Sequence, residues 1–320
     1  MLHFIRLIRW PNQLIIILTF VLIRYGIIQP YFVVNGLSLE FPLFLFMLLV
    51  FSIVCIASAG YIINDYFDLQ IDQINKPEKV IIGKYISPST AYRYYFILNG
   101  IALLSAFYIT YRIGFISIFI IFPVASGILW FYSTTYKRQL ITGNIIIAFF
   151  AGIVPILPAI FELPPVLSKY YSFIVNYELN PKVVLIWCLV FSIFAFLTNL
   201  IREVVKDCED YEGDMTNGRK TIPIKFGLMV ANVIVLILIL LIIFILQYVF
   251  FSFLRIGNDG KFDYFTLGYF LILISLPLLY AGVIIFRSAR KEIYARASLI
   301  IKLVMVAGAL YAIVVRMKIL

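Results

Sequence analysis

Two stretches hold the side chains with the clearest capacity for chemistry. The first is Asn64-Asp65-Tyr66-Phe67-Asp68-Leu69-Gln70-Ile71-Asp72. The second runs from Arg202-Glu203 through Lys206-Asp207, Glu209-Asp210 and Glu212-Gly213-Asp214. Each contains three aspartates at i, i+3 and i+7, which sets them on one face of a helix. Asn64 lies one turn before Asp68 and joins that face. Three carboxylates so arranged repel one another, and the cost rises near a membrane boundary unless something positive neutralises them. The expected neutraliser is a hard divalent cation. Carboxylate oxygens suit magnesium, which usually completes its shell with waters and substrate phosphates. One such cluster is compatible with solvated loop charge. Two in a chain with only 16 acidic residues argue for a site. We therefore expect Asn64, Asp65, Asp68, Asp72, Asp207, Asp210 and Asp214 to hold Mg2+, with Asp68 and Asp210 as the catalytic pair.

Basic residues accompany both clusters. Lys76 and Lys79 follow the first, Arg202 and Lys206 precede the last aspartates of the second, and Lys137 follows Tyr132-Ser133. Arg clamps phosphate bidentately and Lys as a point charge. All five are expected to contact a diphosphate. Magnesium and these cations would stabilise the charge on departing pyrophosphate, letting an allylic carbon–oxygen bond ionise. The carbocation then needs a dry, aromatic-lined cavity, for which 30 Phe and 22 Tyr supply material. The turn-rich segment from Gly213 to Pro223 is read as a loop, either a connector or a lid.

These residues need a scaffold, and composition defines it. Hydrophobic residues make up 63% of the chain and charged residues 13%, against about 45–50% and about 25% in soluble proteins. The apolar residues fall in runs of roughly 20, the length that crosses a hydrocarbon core as a helix. Nine spans are predicted, at about 13–33, 42–64, 89–111, 114–134, 141–161, 183–205, 226–253, 264–286 and 297–315. The fold class is thus all-α: a bundle of nine transmembrane helices around a central cavity, forming one domain over residues 1–320. The first span is expected to be retained rather than cleaved as a signal peptide.

Of the 26 Lys and Arg, seventeen fall on one side of this arrangement and seven on the other. Arg24 and Lys302 lie inside spans, and Arg24 is close enough to a span end to snorkel. The bias predicts a cytoplasmic N-terminus, cytoplasmic acidic clusters and a C-terminus on the opposite side of the cell membrane. The net charge of +10 then reflects cytoplasmic loops and anionic membrane lipids, not nucleic acid. Cys55, Cys188 and Cys208 have no metal-ligand spacing, and the lone His3 is terminal, so thiolate–metal and histidine-based chemistry are not expected.

At the quoted motifs the chain resembles the UbiA superfamily of membrane prenyltransferases. The first match is Asn64-Asp65-x-x-Asp68-x-x-x-Asp72-x-x-Asn75-x-Pro77, and the second is Arg202-Glu203-x-x-Lys206-Asp207-x-x-Asp210-x-x-x-Asp214. Arg9-x-Pro11-Asn12, Tyr132-Ser133, Lys137-Arg138 and Gly143-Asn144 are smaller matches. The resemblance implies a magnesium-dependent transfer of a polyprenyl group from its diphosphate. The second motif looks most like archaeal-type enzymes that add a second geranylgeranyl group to geranylgeranylglyceryl phosphate. Lys79-Val80 departs from the Arg-Pro of many members. The acceptor is expected to be a lipid, an isoprenoid glyceryl phosphate, with an aromatic acceptor of quinone biosynthesis as the alternative. A membrane transporter is the rival from outside enzymology, but it would bury charges near mid-membrane rather than gather them at one face.

Overall fold

The computed structural model describes residues 2–75, 77–78, 80–216, 218–256, 261–287 and 289–319. Among these residues nine helices are long and apolar enough to cross a membrane. They are Trp10–Val34, Leu43–Phe67, Pro88–Ile113, Ile116–Thr134, Thr142–Lys169, Lys182–Glu209, Leu228–Ser252, Tyr264–Arg287 and Lys291–Ile319, hereafter the first to ninth spans. The all-α, nine-span expectation holds. Helix is the solution because every backbone amide in hydrocarbon must find its partner within the segment. Outside the spans a short hairpin pairs Arg255–Ile256 with Lys261–Phe262.

Side chains sort as a bilayer requires. Leu104, Ile120 and Phe244 are more than 60% exposed, a cost in water that lipid removes. Small residues sit where helices approach. A Cβ on Gly152 would lie 2.9 Å from Phe196 Cβ and 3.1 Å from the Ser192 carbonyl oxygen. The fifth and sixth spans therefore pack backbone against backbone there, as small residues allow in membranes.

The chain divides into two compact units. The first comprises Met1–Lys137 and Ile156–Cys188 with the last two residues, and the second Arg138–Pro155 and Leu189–Lys318. The first acidic motif belongs to the first unit and the second motif to the second unit.

Three local features differ from the sequence expectation. The fifth span does not end at Phe161. It continues through Pro164 and Pro165 to Lys169, and a further helix covers Tyr171–Asn176. Proline pairs usually end helices because they remove amide donors, but Leu163 and Val166 beside them are buried and hold the turn in place. At its far end, Lys169 Nζ and Tyr170 OH donate to Glu40 at 2.8 and 2.7 Å. The Lys169 hydrogen bond holds the Glu40 carboxyl below the usual carboxylate range. The first span contains a wide π-turn over Arg24–Ile28. Arg24 does not snorkel. It is buried, and its Nε lies 2.7 Å from Glu162 Oε1. The third difference concerns the expected loop from Gly213 to Pro223, much of which is helical, over Tyr211–Thr216 and Ile222–Phe226.

Candidate active site

The second span ends at Phe67, Asp68 caps it, and a short helix follows over Leu69–Asn75. The junction does not scramble the predicted face. Asp68 N–H donates to the Asn64 carbonyl at 3.0 Å, and Asp72 N–H to the Asp68 carbonyl at 2.8 Å. The four-residue hydrogen-bond step therefore passes through the cap and keeps Asn64, Asp68 and Asp72 in helical register. Buried Leu7, Ala59, Ile62, Ile63, Ile82 and Ala91 form the apolar floor that fixes this helix end. Phe67, Tyr95 and Trp130 add ring contacts, with Phe67 edge-on to Trp130 at 5.6 Å.

The carboxylates of this motif face cations from distant positions. Arg9 Nη2 donates to Asp65 Oδ1 at 2.8 Å. Lys137, on the single turn Tyr136–Arg138, donates to Asn64 Oδ1 at 2.8 Å and pairs with Asp68 Oδ2. The Arg9 guanidinium also lies 4.8 Å over the Tyr61 ring, whose hydroxyl accepts from Asn12 Nδ2 at 3.0 Å. In the sequence Arg9 and Asn12 form a motif match that carries no role. Their contacts bring them to the first acidic motif. Asn64 and Asp68 are buried, whereas Asp65 and Asp72 are half-buried.

The second motif repeats the backbone pattern. The sixth span runs to Glu209, Asp210 stands at the junction, and a short helix follows over Tyr211–Thr216. Asp210 N–H donates to the Lys206 carbonyl, and Asp214 N–H to the Asp210 carbonyl, both at 2.9 Å. Asn144 Nδ2 donates to Asp207 Oδ2 at 2.7 Å. Glu203 Oε1 faces both Lys206 Nζ at 3.0 Å and Arg202 Nη1 at 3.4 Å. Arg219 returns from the following segment to Asp214, 3.2 Å from Nη1 to Oδ1. Sequence reasoning assigns roles to Arg202, Lys206 and the aspartates, but none to Glu203 or Asn144. Asn144 was visible as part of Gly143-Asn144, but nothing in the sequence tied it to Asp207.

Lys76 and Lys79 lie outside the described residues. Among the described residues, no group of three or more His, Cys, Asp or Glu side chains converges tightly enough to cage a metal ion. The donor chemistry nevertheless fits magnesium. Each motif offers hard carboxylate oxygens in helical register, and Mg2+ is typically held by one or two carboxylates plus phosphate oxygens and water. Within the first motif Asp68 stands at the junction with Asn64, Asp65 and Asp72 flanking it, and within the second Asp210 does so with Asp207 and Asp214 flanking it.

Comparison with known proteins gives the family. The UbiA prenyltransferase family model matches residues 28–306. The digeranylgeranylglyceryl phosphate synthase of Methanothermobacter thermautotrophicus is 32% identical over 257 residues, covering 79% of this chain and 77% of its own. That of Thermococcus kodakarensis is 32% identical over 257 residues, covering 80% of each chain. A solved structure from work on digeranylgeranylglyceryl phosphate synthase in membranes aligns with a TM-score of 0.61 at 23% identity, over 97% of this chain and 98% of its own. A UbiA homolog from Archaeoglobus fulgidus bound to GPP and Mg2+ aligns with a TM-score of 0.61 at 18% identity, over 98% and 99%. At these identities the two structures speak for the fold.

Proposed function

The chain belongs to the UbiA prenyltransferase family, and from that premise we propose that it transfers a geranylgeranyl group from its diphosphate to an isoprenoid glyceryl phosphate, forming an ether lipid. It is a multi-pass membrane prenyltransferase. The family excludes the transporter alternative, and the relatives lend the aromatic-acceptor alternative no support. The observation that carries the acceptor is the 32% identity, over most of both chains, to relatives named for a glyceryl phosphate product. A supporting argument is electrostatic. An acceptor with its own phosphate needs cations beyond those serving the diphosphate, and after Arg202 and Lys206 the stretch to Lys225 adds Arg219, Lys220 and Lys225.

In this reading the whole chain acts as one prenyltransferase domain and both motifs serve one transfer. Bound Mg2+ supplies the positive charge that stabilises pyrophosphate as the allylic C–O bond breaks. Asp68 and Asp210 position that charge. Lys137, Arg202 and Lys206 bind the diphosphate oxygens, and Lys76 and Lys79 are proposed to join them. The apolar walls of the spans exclude water from the allylic cation until the acceptor hydroxyl attacks it and passes its proton to the departed pyrophosphate.

The test is a competition assay. Purified protein receives labelled geranylgeranyl diphosphate together with a glyceryl phosphate ether and a hydroxybenzoate. Label is expected in the ether lipid. Label solely in the aromatic product overturns the acceptor and leaves the prenyltransferase intact.

We also propose that the N-terminus and both acidic motifs face the cytoplasm, as the Lys/Arg bias requires. Cysteines introduced at exposed Gln73 and at exposed Glu212 are expected to react with an impermeant maleimide from the cytoplasmic side alone. Labelling of the two from opposite faces would rule out a common reaction.

A further inference from the structure

The first acidic motif brings its own counter-ions. Arg9 holds Asp65 at 2.8 Å, and Lys137 holds both Asn64 and Asp68. Several features mark these pairs as built rather than incidental. Arg9 adopts the left-handed backbone region, with φ 53, which bulky residues rarely enter. Its guanidinium is seated on Tyr61, and Tyr61 is in turn held by Asn12. The Lys137 side chain is only 19% exposed, and its partner Asp68 8%. Two cations from separate parts of the chain are therefore aimed at adjacent carboxylates of one motif.

A divalent cation competes for those oxygens with an ammonium or guanidinium. Like charges a few ångströms apart repel strongly outside bulk water, so metal entry must displace Lys137 from Asp68 and weaken the hold of Arg9 on Asp65. The displaced cations then need another anion, because a half-buried charge without one is costly. A diphosphate delivers that anion to the same place. We propose that Arg9 and Lys137 are resident counter-ions that exchange from carboxylate to phosphate, so that magnesium and the diphosphate each strengthen the binding of the other. The inference rests on the magnesium–diphosphate reading above and adds to it a role for Arg9 and an obligatory coupling between the two ligands. Such coupling is reciprocal by linkage.

The experiment uses the full chain in detergent, stripped with a chelator, then given Mg2+ alone or Mg2+ with inorganic pyrophosphate. An amine-reactive label and mass spectrometry read the accessibility of Lys137. Mg2+ alone is expected to raise Lys137 labelling severalfold, and pyrophosphate to lower it again. Thermal-shift titration gives the second readout. Arg9→Asn, which tolerates the left-handed backbone, and Lys137→Gln are expected to bind Mg2+ alone about tenfold more tightly than the parent, within the usual range of coupling between sites. In both, pyrophosphate should improve Mg2+ binding by a smaller factor than in the parent, since one counter-ion is gone while phosphate oxygens still coordinate the metal, and Arg9→Lys should restore the parent behaviour. If Mg2+ stabilises the protein but leaves Lys137 labelling unchanged, the exchange is wrong and the magnesium reading survives. If Mg2+ stabilises neither the parent nor the variants, both fall. Should Lys137→Gln fail to fold, labelling of the parent still decides.

Discussion

Asp68→Ala and Asp210→Ala are each expected to lower prenyl transfer by roughly a hundredfold or more, equivalent to about 2.7 kcal/mol of transition-state stabilisation. The argument starts from position. Each of these aspartates stands at a helix–helix junction where an i→i−4 hydrogen bond enters and another leaves. Each has one aspartate three residues earlier and one four residues later. Loss of the central carboxylate removes the group best placed to hold positive charge against the departing pyrophosphate. The fold should survive Asp68→Ala. Lys137 retains Asn64 as a partner at 2.8 Å and is partly exposed, so it can turn to water. A melt close to that of the parent, together with the activity loss, separates chemistry from folding. Asp68→Asn is the sharper variant because it preserves shape and hydrogen bonding to Lys137 while removing the charge. Retention of a tenth or more of parent activity by both Asp68→Asn and Asp210→Asn would remove these residues from the mechanism. For the parent, a chelator should abolish activity and added Mg2+ restore it.

What could be read from the sequence were the properties written locally. The nine spans follow from runs of apolar residues, because hydrocarbon punishes any unsatisfied backbone. The two acidic faces follow from i, i+3, i+7 spacing, and the hydrogen-bond step through Asp68 and Asp210 preserves it. Partners across long separations were not legible. Arg9 and Asp65 are 56 residues apart, Asn144 and Asp207 63, and Lys137 and Asp68 69. Their pairing depends on which spans become neighbours, and hydropathy does not encode that. Composition also misled at two places. The polar, glycine-containing stretch after Asp210 reads as loop. Yet Asp214 is buried and Arg219 folds back onto it, so a helical turn there satisfies a carboxylate that a loop would leave to solvent. The apolar run gives out near Phe161, yet the helix continues through Pro164-Pro165, where burial of Leu163 and Val166 outweighs two lost amide donors.

Breaking the Arg24–Glu162 pair is expected to cost about 3–5 kcal/mol of stability for removal of either partner. Both side chains are buried, Arg24 4% exposed and Glu162 0%. The pair joins the first span to the fifth within the first unit, with Nε 2.7 Å from Oε1. Arg24 begins roughly 21 Å along the first span at 1.5 Å per residue from Trp10, well inside a hydrocarbon core of about 30 Å. The guanidinium has two further obligations. Its Nη2 donates to the Phe41 carbonyl at 2.6 Å, and its plane lies 4.3 Å from the Phe46 ring. Arg24→Met therefore leaves two acceptors behind, a carboxylate and a carbonyl, whereas Glu162→Leu leaves one cation that keeps Phe41. Arg24→Met should be the more destabilising of the two. The double variant Arg24→Met/Glu162→Leu should recover much of the loss, because the cost lies in the orphaned charge rather than in the absent attraction. Melting curves in detergent give the order: parent, double variant, Glu162→Leu, Arg24→Met. A double variant less stable than both single variants would mean that each residue contributes independently through packing. Activity per folded molecule should be unchanged in the double variant. The pair fixes where the first span lies, while the contacts that engage the acidic motif come from Arg9 at the start of that span.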